Sequence, residues 1–349
     1  MTASKKDHPN NLKDIPFSIL DLVPVLAGNT ISQSFHNSLS LAQKAEALGF
    51  NRFWMSEHHN MEGVASSATV VLIGFIAANT TIIRVGSGGI MLPNHAPLVV
   101  AEQFGSLETL YPHRIDLGVG RAPGTDQLTT MALRRDTQSS VEDFPSHVVE
   151  LKNYFSHQTT SKVQAVPGKG LEVPIWLLGS STYSAQLAGI LGLPFAFASH
   201  FAPSLLHAAL KIYRESFQPS DALKQPYAMA CVNVIAADTN KEAYQLATSL
   251  YAFFLNVIRG TSFPLQAPVN DLEVIWNEGE EAAVKQMLTY NFVGDAATLE
   301  QQLKTFVGET KVDELMVVSN IFDHNARLHS YEILAGIKER SSVSKKVER

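Results

Sequence analysis

A glutamate and two histidines stand next to each other early in the chain, at Glu57, His58 and His59. An imidazole titrates near neutral pH, so a histidine that faces a pocket suits general acid–base chemistry, and an adjacent carboxylate can orient it. Adjacent side chains of an extended segment point to opposite sides, so this pair is a poor ligand set for one metal ion. We therefore predict that Glu57 orients His58 as a catalytic acid or base, with no metal. The alternative is that His58 has no catalytic role and makes an ordinary structural hydrogen bond.

A second group of residues is suited to binding a phosphate. Gly179-Ser180-Ser181 precedes a predicted helix, whose free N–H groups and positive end attract an anion. Arg121 follows a predicted strand, and a guanidinium there can clamp the same phosphate. Tyr183, in the first turn of that helix, can add a hydroxyl donor. The structural alternatives are an ordinary N-cap for the Gly-Ser-Ser stretch and a salt bridge from Arg121 to Asp126 or Glu102.

Two glycines and a few larger residues complete the candidates. Ser87-Gly88-Gly89 has no side chain at its last two positions, so a flat ligand can approach the backbone there; a turn that needs positive φ is the other explanation. His200 follows a predicted strand, and Met91 is an apolar residue close to the glycines. We predict that these two residues and His59 line a substrate pocket, although a methionine is equally typical of an ordinary core.

The elements that position these residues are short apolar strands alternating with helices. Residues 82–85 and 115–120 are predicted strands, and the stretch from Pro97 to Tyr111 between them carries one apolar helical stripe. The glycines at 86–89 are predicted to turn the chain out of the first strand. Strand, helix and strand at this spacing form a βαβ unit with parallel strands and a right-handed crossover.

Eight predicted strands alternate with at least eight helices, which favours a (β/α)8 barrel over a doubly wound open sheet. The open sheet would require a dinucleotide fingerprint, but Gly118, Gly120 and Gly124 are spaced one residue too widely for it. The active site of such a barrel lies at the carboxyl ends of its strands. Five of the groups named above follow or end a predicted strand, so we expect them to meet at one rim: Glu57-His58-His59, Ser87-Gly88-Gly89, Arg121, Gly179-Ser180-Ser181 and His200.

The length of 349 residues fits one large barrel domain. Residues 260–292 break the alternation of strands and helices and are predicted to be an insertion before the last helix–strand unit. The polar ends, residues 1–16 and 341–349, are predicted to be flexible tails.

The composition excludes several classes of protein. Hydrophobic residues make up 45% of the chain, and the formal net charge of -6 argues against nucleic acid or an anionic membrane as a partner. There is neither an apolar stretch of membrane-spanning length nor an N-terminal signal sequence, so we expect a cytoplasmic protein. The one cysteine, Cys231, lies in an apolar run and is predicted to be buried.

Three stretches of the sequence resemble the bacterial luciferase-like flavin monooxygenases, and most of all their alkanal-monooxygenase-like members: WMSEHHN (54–60), RVGSGGIMLPNHAPLVVAEQFGSLETLYPHRIDLGVGRAPGTDQ (84–127) and LLGSSTYSAQLA (177–188). The resemblance extends from about residue 17 to residue 336. It implies a (β/α)8 barrel, reduced FMN or a deazaflavin as the redox partner, and a homodimer.

The resemblance also assigns roles to residues. His58 matches the catalytic histidine of the family, and Gly88-Gly89 matches a non-proline cis peptide that packs against the flavin ring. Arg121 matches the arginine that binds the flavin phosphate, together with Gly179 and Ser180. Ser87 and Tyr183 are expected to border the same cofactor. Residues 260–292 match a variable insertion over the barrel mouth that shapes the substrate pocket.

The function that this resemblance implies is oxygenation of a small aldehyde- or hydrocarbon-like substrate by reduced FMN and O2. The sequence has no nicotinamide-binding motif, so a separate flavin reductase is expected to supply the reduced cofactor. A deazaflavin-dependent dehydrogenase on the same barrel and a non-catalytic FMN-binding protein are the two alternatives.

Overall fold

The computed structural model describes residues 12–122, 124–133, 141–158 and 162–343. Its strands, β1 to β9 in chain order, are Phe17–Asp21, Arg52–Met55, Arg84–Met91, Ile115–Gly120, Ile175–Gly179, Phe195–Phe197, Ala228–Ala236, Asn291–Gly294 and Glu314–Val318. Its α-helices, α1 to α11, are Ile31–Ala47, Thr69–Ala78, Pro97–Leu110, Gln127–Leu133, Phe144–Phe155, Thr182–Leu191, Leu206–Ser216, Asn240–Ile258, Glu278–Met287, Ala296–Thr310 and His324–Val343.

The strands form a closed parallel barrel. Strands β1 to β7 pair in sequence order, and β9 pairs with both β7 and β1, which closes the ring. Most strand residues are buried because helices cover the outer face while side chains fill the interior. The predicted (β/α)8 barrel is therefore confirmed.

Strand β8 is an addition that the sequence did not indicate. It pairs with the second half of β7, from Asn233 to Ala236, and lies outside the eight strands that close the barrel. Of its four residues only Val293 and Gly294 are buried, which is too short a pattern to distinguish from a loop. The predicted insertion of residues 260–292 therefore overlaps β8 at residues 291–292 and contains α9.

The glycines at 86–89 were predicted to turn the chain out of β3, and this prediction is wrong. The strand continues through them to Met91. The register of β3 against β4 shifts between Gly88 and Ile90, so a bulge absorbs the irregular geometry inside the sheet. The first two residues of the predicted strand, at 82 and 83, precede β3 instead. Gly88 and Gly89 thus lie on the barrel wall itself.

Buried ion pairs fill the amino end of the barrel. Arg52 contacts Asp116 and Glu314, each at 2.8 Å, and Arg84 contacts Asp116 at 2.6 Å. Burial alone would raise the pKa of Asp116, but the two guanidinium groups outweigh it and hold that pKa below its usual value. These charges fill the barrel interior at its amino end, and the main cavity opens toward the carboxyl ends of the strands.

Part of the predicted N-terminal tail belongs to the folded barrel. Residues 12–14 form a 3-10 turn, and Leu12 and Ile15 are buried in the main core, so the prediction that 1–16 are flexible is wrong for 12–16. Residues 1–11 and 344–349 lie outside the described residues, and α11 continues to Val343. No helix in the described part of the chain has both the length and the apolar character needed to cross a membrane.

Candidate functional site

A cavity of about 1160 Å³ opens at the carboxyl ends of the strands. It exceeds the usual volume of a site for one small ligand, about 300–1,000 Å³, and so has room for a cofactor and a substrate together. Nine of the predicted site residues line it: His58, His59, Gly88, Gly89, Met91, Arg121, Gly179, Ser180 and His200. The other three do not line it: Glu57 and Ser87 lie behind the cavity wall, and Tyr183 lies beside Arg121. The predicted convergence at one rim is therefore confirmed for these nine residues.

His58 faces the cavity just after β2. Its Nδ1 lies 3.1 Å from Ser56 Oγ, which in turn lies 2.9 Å from Ser66 Oγ. Burial lowers the pKa of His58 more than the nearby Glu57 carboxylate raises it. The imidazole is therefore neutral near pH 7, with Nδ1 engaged by a serine and no hydrogen bond from Nε2 to the described residues.

Glu57 does not orient His58, and this prediction is wrong. Its Oε1 accepts from His59 Nε2 and from His95 Nε2, both at 2.9 Å, and its Oε2 accepts the Met91 amide at 2.9 Å. Side chains two residues apart share one side of an extended segment, so Glu57 meets His59 while His58 meets Ser56.

The pKa of Glu57 reflects these three contacts. Burial alone would raise it, but the hydrogen bonds from His95, His59 and Met91 outweigh burial and hold it below the usual value. The carboxylate therefore stays ionised behind the cavity wall. His95 was not predicted to have this role, since it is 38 residues from Glu57 and only the pairing of β2 with β3 brings the two segments together.

Gly88 and Gly89 form part of the cavity wall, and the peptide bond between them is cis, as the family resemblance implied. A Cβ at Gly88 would lie 2.8 Å from Leu20 Cδ1 and 3.2 Å from the Trp54 side chain. A Cβ at Gly89 would overlap Leu178 and lie 2.8 Å from the Gly118 carbonyl oxygen. Close packing inside the barrel therefore requires glycine at both positions, whether or not a ligand lies against them.

We expect Gly89→Ala to lower the free energy of unfolding by about 1–3 kcal/mol, the usual cost of overpacking a filled interior. Denaturant titration of the purified variant measures this change. Gly308→Ala is the matched control, because Gly308 lies in α10 with no atom within 4 Å of its added Cβ. That control should retain or slightly raise stability. Equal stability of the two variants would contradict the packing argument.

Ser87 supports the wall rather than lining it. Its side chain is fully buried, and Oγ donates to the Gly118 carbonyl oxygen at 2.8 Å. This hydrogen bond ties β3 to β4 directly behind the two glycines. Ser87 therefore lies close to the predicted cofactor position, but its hydroxyl is already used by the barrel.

Arg121 and Ser180 lie on adjacent strand ends, because Gly120 of β4 pairs with Leu178 of β5. Among the described residues, Arg121 forms no ion pair, so the predicted alternative of a salt bridge to Asp126 or Glu102 is wrong. Its guanidinium carbon lies 4.3 Å from the centre of the Tyr183 ring, a cation–π contact that helps to hold the group in place. Tyr183 thus acts on Arg121 through its ring.

The N-terminus of α6 adds backbone donors at the same rim. Ser181 occupies the N-cap position but its side chain makes no capping hydrogen bond, so the ordinary N-cap alternative is not what forms. The first N–H groups of the helix remain available to an anion. Ser181 and Ser184 also line the cavity. Ser184 was not predicted because it lies inside the helix, where only its packing beside Gly179 directs it to the rim.

His200 lies on the wall formed after β6. It is buried, and its Nδ1 makes no hydrogen bond to any described residue. Burial, with a smaller effect from His58, lowers the pKa of His200 to about 3. The ring is therefore neutral at physiological pH. Within the described residues, no cluster of three histidine, cysteine or carboxylate side chains could hold a metal ion.

A family model described as luciferase-like monooxygenase matches residues 15–314. A luciferase-like monooxygenase of Escherichia coli strain K12 is 52% identical over 94% of this chain and 98% of its own length. The N-acetyl-S-alkylcysteine monooxygenase of Bacillus subtilis is 32% identical over 92% of this chain and 97% of its own. The crystal structure of apo-MsnO8, at 34% identity, superposes with a TM-score of 0.84 and covers 93% of this chain and 98% of that one.

Two more distant structures share the fold alone. The oxygenating component of 3,6-diketocamphane monooxygenase of Pseudomonas putida, solved with FMN, has a TM-score of 0.71 at 16% identity, over 92% of this chain and 97% of that one. An F420-dependent secondary alcohol dehydrogenase has a TM-score of 0.68 at 14% identity, over 93% and 99%. From the match over most of its length, this chain belongs to the luciferase-like monooxygenase family and is an oxidoreductase.

Proposed function

We propose that this enzyme binds reduced FMN and uses O2 to oxygenate a small, mainly apolar organic molecule. The observation that carries the proposal is the shared rim, where the guanidinium of Arg121 and the free N-terminus of α6 face one cavity. A terminal phosphate is the group that such a pair of donors fits best. The wall at Gly88 and Gly89 has no side chains and is suited to a flat ring.

The residues fit FMN in three respects: a cationic rim, a flat wall and a volume that leaves room for a second molecule. When bound, reduced FMN would supply the electrons that activate O2. The chain itself would bind the phosphate through Arg121, exclude water with the apolar lining, and handle a proton at His58 Nε2. The neutral state of His58 suits a base that accepts a proton near pH 7.

A deazaflavin-dependent dehydrogenase is the second candidate, because an F420-dependent alcohol dehydrogenase has the same fold. Titrating the purified protein with FMN, riboflavin and F420 separates the possibilities. We expect FMN to bind about tenfold or more tightly than riboflavin, because only FMN offers a phosphate to the charged hydrogen bonds. We also expect O2 consumption with reduced FMN. Equal binding of FMN and riboflavin, or preference for F420, would overturn the proposal.

We further propose that a separate reductase supplies reduced FMN and that the enzyme is a homodimer. The face of α2 and α3 supports the dimer. Val71, Ile82 and Leu110 lie on or beside these helices, and they are 70%, 74% and 68% exposed. Association would remove this apolar surface from water.

Val71→Glu is expected to shift the protein from dimer to monomer, because it places a charge in the apolar contact. Sedimentation of the purified variant gives the mass in solution. Val274→Glu is the control, since Val274 is 80% exposed on the segment between α8 and α9, away from the α2 and α3 face. A dimer that survives Val71→Glu, or a wild type that is monomeric, would rule out this interface.

A further inference from the structure

We propose that the enzyme oxygenates its own cavity wall, and that the thioether of Met91 is the modification site, which becomes methionine sulfoxide when reduced FMN and O2 are present without an organic substrate. The inference rests on the proposed oxygenase function and adds a reaction of the protein with itself. It starts from the sulfur atoms of the lining. The cavity touches only about a tenth of the chain, yet five of the eight methionines line it: Met61, Met91, Met229, Met287 and Met316.

These five methionines differ in how far they can be reached. Met229 and Met316 are 0% and 2% exposed, so their side chains are packed into the wall. Met61, Met91 and Met287 are half-buried, and each of them also lines the cavity. A reagent formed inside the cavity therefore has three accessible thioethers to meet.

Met91 is the one of these three that lies beside the flat wall. It ends β3 two positions beyond Gly89, about 7 Å away at the usual rise of a strand. Its side chain packs on the end of β4, because a Cβ at Gly120 would lie 3.1 Å from Met91 Sδ and one at Gly124 would lie 2.9 Å from Met91 Cγ. The sulfur thus lies between the wall of β3 and the strand end that carries Arg121, the two surfaces proposed to hold the flavin.

A thioether is a polarisable sulfur group, and its oxygenation product is the sulfoxide. In the balanced step the O–O bond of O2 breaks and one oxygen atom forms a new bond to sulfur. The other oxygen atom leaves as water, with the two electrons and two protons that reduced FMN gives up on oxidation. No reactant is required beyond those of the proposed oxygenase reaction, so the modification accompanies turnover without an organic substrate.

Other oxidisable side chains of the lining are less available than Met91. Burial raises the pKa of the Cys231 thiol, so little of the reactive thiolate forms there, and this residue is only 5% exposed. Trp54 is 1% exposed. The half-buried thioether beside the flat wall is therefore the oxygen acceptor that we assign.

The sulfoxide would change the cavity. It is more polar than the thioether and carries an additional oxygen atom. The Met91 amide donates to Glu57 Oε2 at 2.9 Å, which fixes the strand, and Gly120 and Gly124 lie close to one side of the thioether. The added oxygen therefore has to enter the cavity, and we expect it to weaken FMN binding.

The test incubates the purified protein with reduced FMN and isotope-labelled O2, without an organic substrate, while catalase and superoxide dismutase remove free peroxide and superoxide. Met131 is the internal control, because it is 61% exposed on α4 and does not line the cavity. Trypsin separates the two sites, since the peptides of residues 85–114 and 122–134 contain one methionine each. Mass spectrometry should show labelled sulfoxide at Met91, rising with turnover, and an unmodified Met131. Hydrogen peroxide added to the protein without FMN should oxidise Met131 first.

Two variants connect the modification with its effect. Met91→Leu removes the sulfur at nearly constant volume, and Met131→Leu is its matched control. After the same incubation, the wild type and Met131→Leu should have lost FMN affinity. Met91→Leu should keep the affinity that it had before the incubation.

The two proposals fail in different ways. Wild-type protein that does not bind FMN would overturn the proposed function. Protein that binds FMN and consumes O2 while Met91 stays unmodified would overturn the self-oxygenation alone. The same holds if Met91 is modified only when catalase is absent, since free peroxide would then be the oxidant. If Met91→Leu does not fold, the peptide analysis of the wild type decides.

Discussion

Replacing His58 by alanine is expected to lower turnover by about 10²–10⁴-fold, the usual contribution of a general acid or base. The imidazole lines the cavity, and its Nδ1 lies 3.1 Å from Ser56 Oγ. The affinity of the His58→Ala variant for FMN should stay unchanged, because the groups proposed to bind the phosphate lie at the end of β4 and the start of α6. Steady-state O2 consumption with reduced FMN and a saturating substrate measures the effect.

His59→Gln is the control for this prediction. The His59 imidazole also lines the cavity, but its Nε2 is already paired with Glu57, so its loss should affect turnover less than the loss of His58. The pH profile adds a second measurement. Because the pKa of His58 is lowered from 6.5, its basic form persists to lower pH than in a free imidazole, and the acid limb of kcat/KM should lie below pH 6.5. Unchanged turnover in His58→Ala would exclude its catalytic role.

Replacing Arg121 by alanine is expected to weaken FMN binding by about 1.5–3 kcal/mol, the worth of a hydrogen bond to a charged group. Riboflavin, which lacks the phosphate, should bind the variant and the wild type equally. Fluorescence titration of both flavins with both proteins gives the four dissociation constants. The loss of FMN affinity in the variant, minus its loss of riboflavin affinity, isolates the contact between the guanidinium and the phosphate from any general loosening of the site.

The stack on Tyr183 provides matched variants for the same measurement. Tyr183→Phe keeps the ring 4.3 Å from the guanidinium and removes only the hydroxyl, so FMN should bind nearly as well as to the wild type. Tyr183→Leu removes the ring and should weaken FMN by about 0.5–1 kcal/mol, the range for an exposed cation–π pair. If Arg121→Ala weakened riboflavin and FMN equally, the phosphate clamp would be wrong.

Much of the fold could be predicted from the sequence because its causes are local. Helix α6, predicted to follow Gly179-Ser180-Ser181, begins at Thr182 and ends at Leu191, where Gly192 terminates it with a left-handed backbone at φ 63°. A parallel barrel follows from the regular alternation of such segments with short apolar strands. Since parallel strands all end at one rim, the same reasoning placed His58, Arg121, Ser180 and His200 around one cavity.

The partner of each side chain was decided by tertiary structure. Glu57 is adjacent to His58 in sequence, yet it binds His95, which β3 brings beside it, while Ser56 binds His58. Ser87 likewise bonds to the neighbouring strand β4 instead of facing the cavity, because the pairing of β3 with β4 brings the Gly118 carbonyl oxygen beside it. The short strand β8 also forms only because β7 offers an edge for it.

The sequence by itself therefore determined which elements form and which residues reach the carboxyl rim, since periodicity and turn chemistry act over a few neighbouring residues. Only the closed barrel decided which atoms meet, which polar atoms are satisfied and which, like His200 Nδ1, have no hydrogen-bond partner among the described residues. Hydrogen bonds and burial depend on distances of a few ångströms between residues that are tens or hundreds of positions apart in the chain.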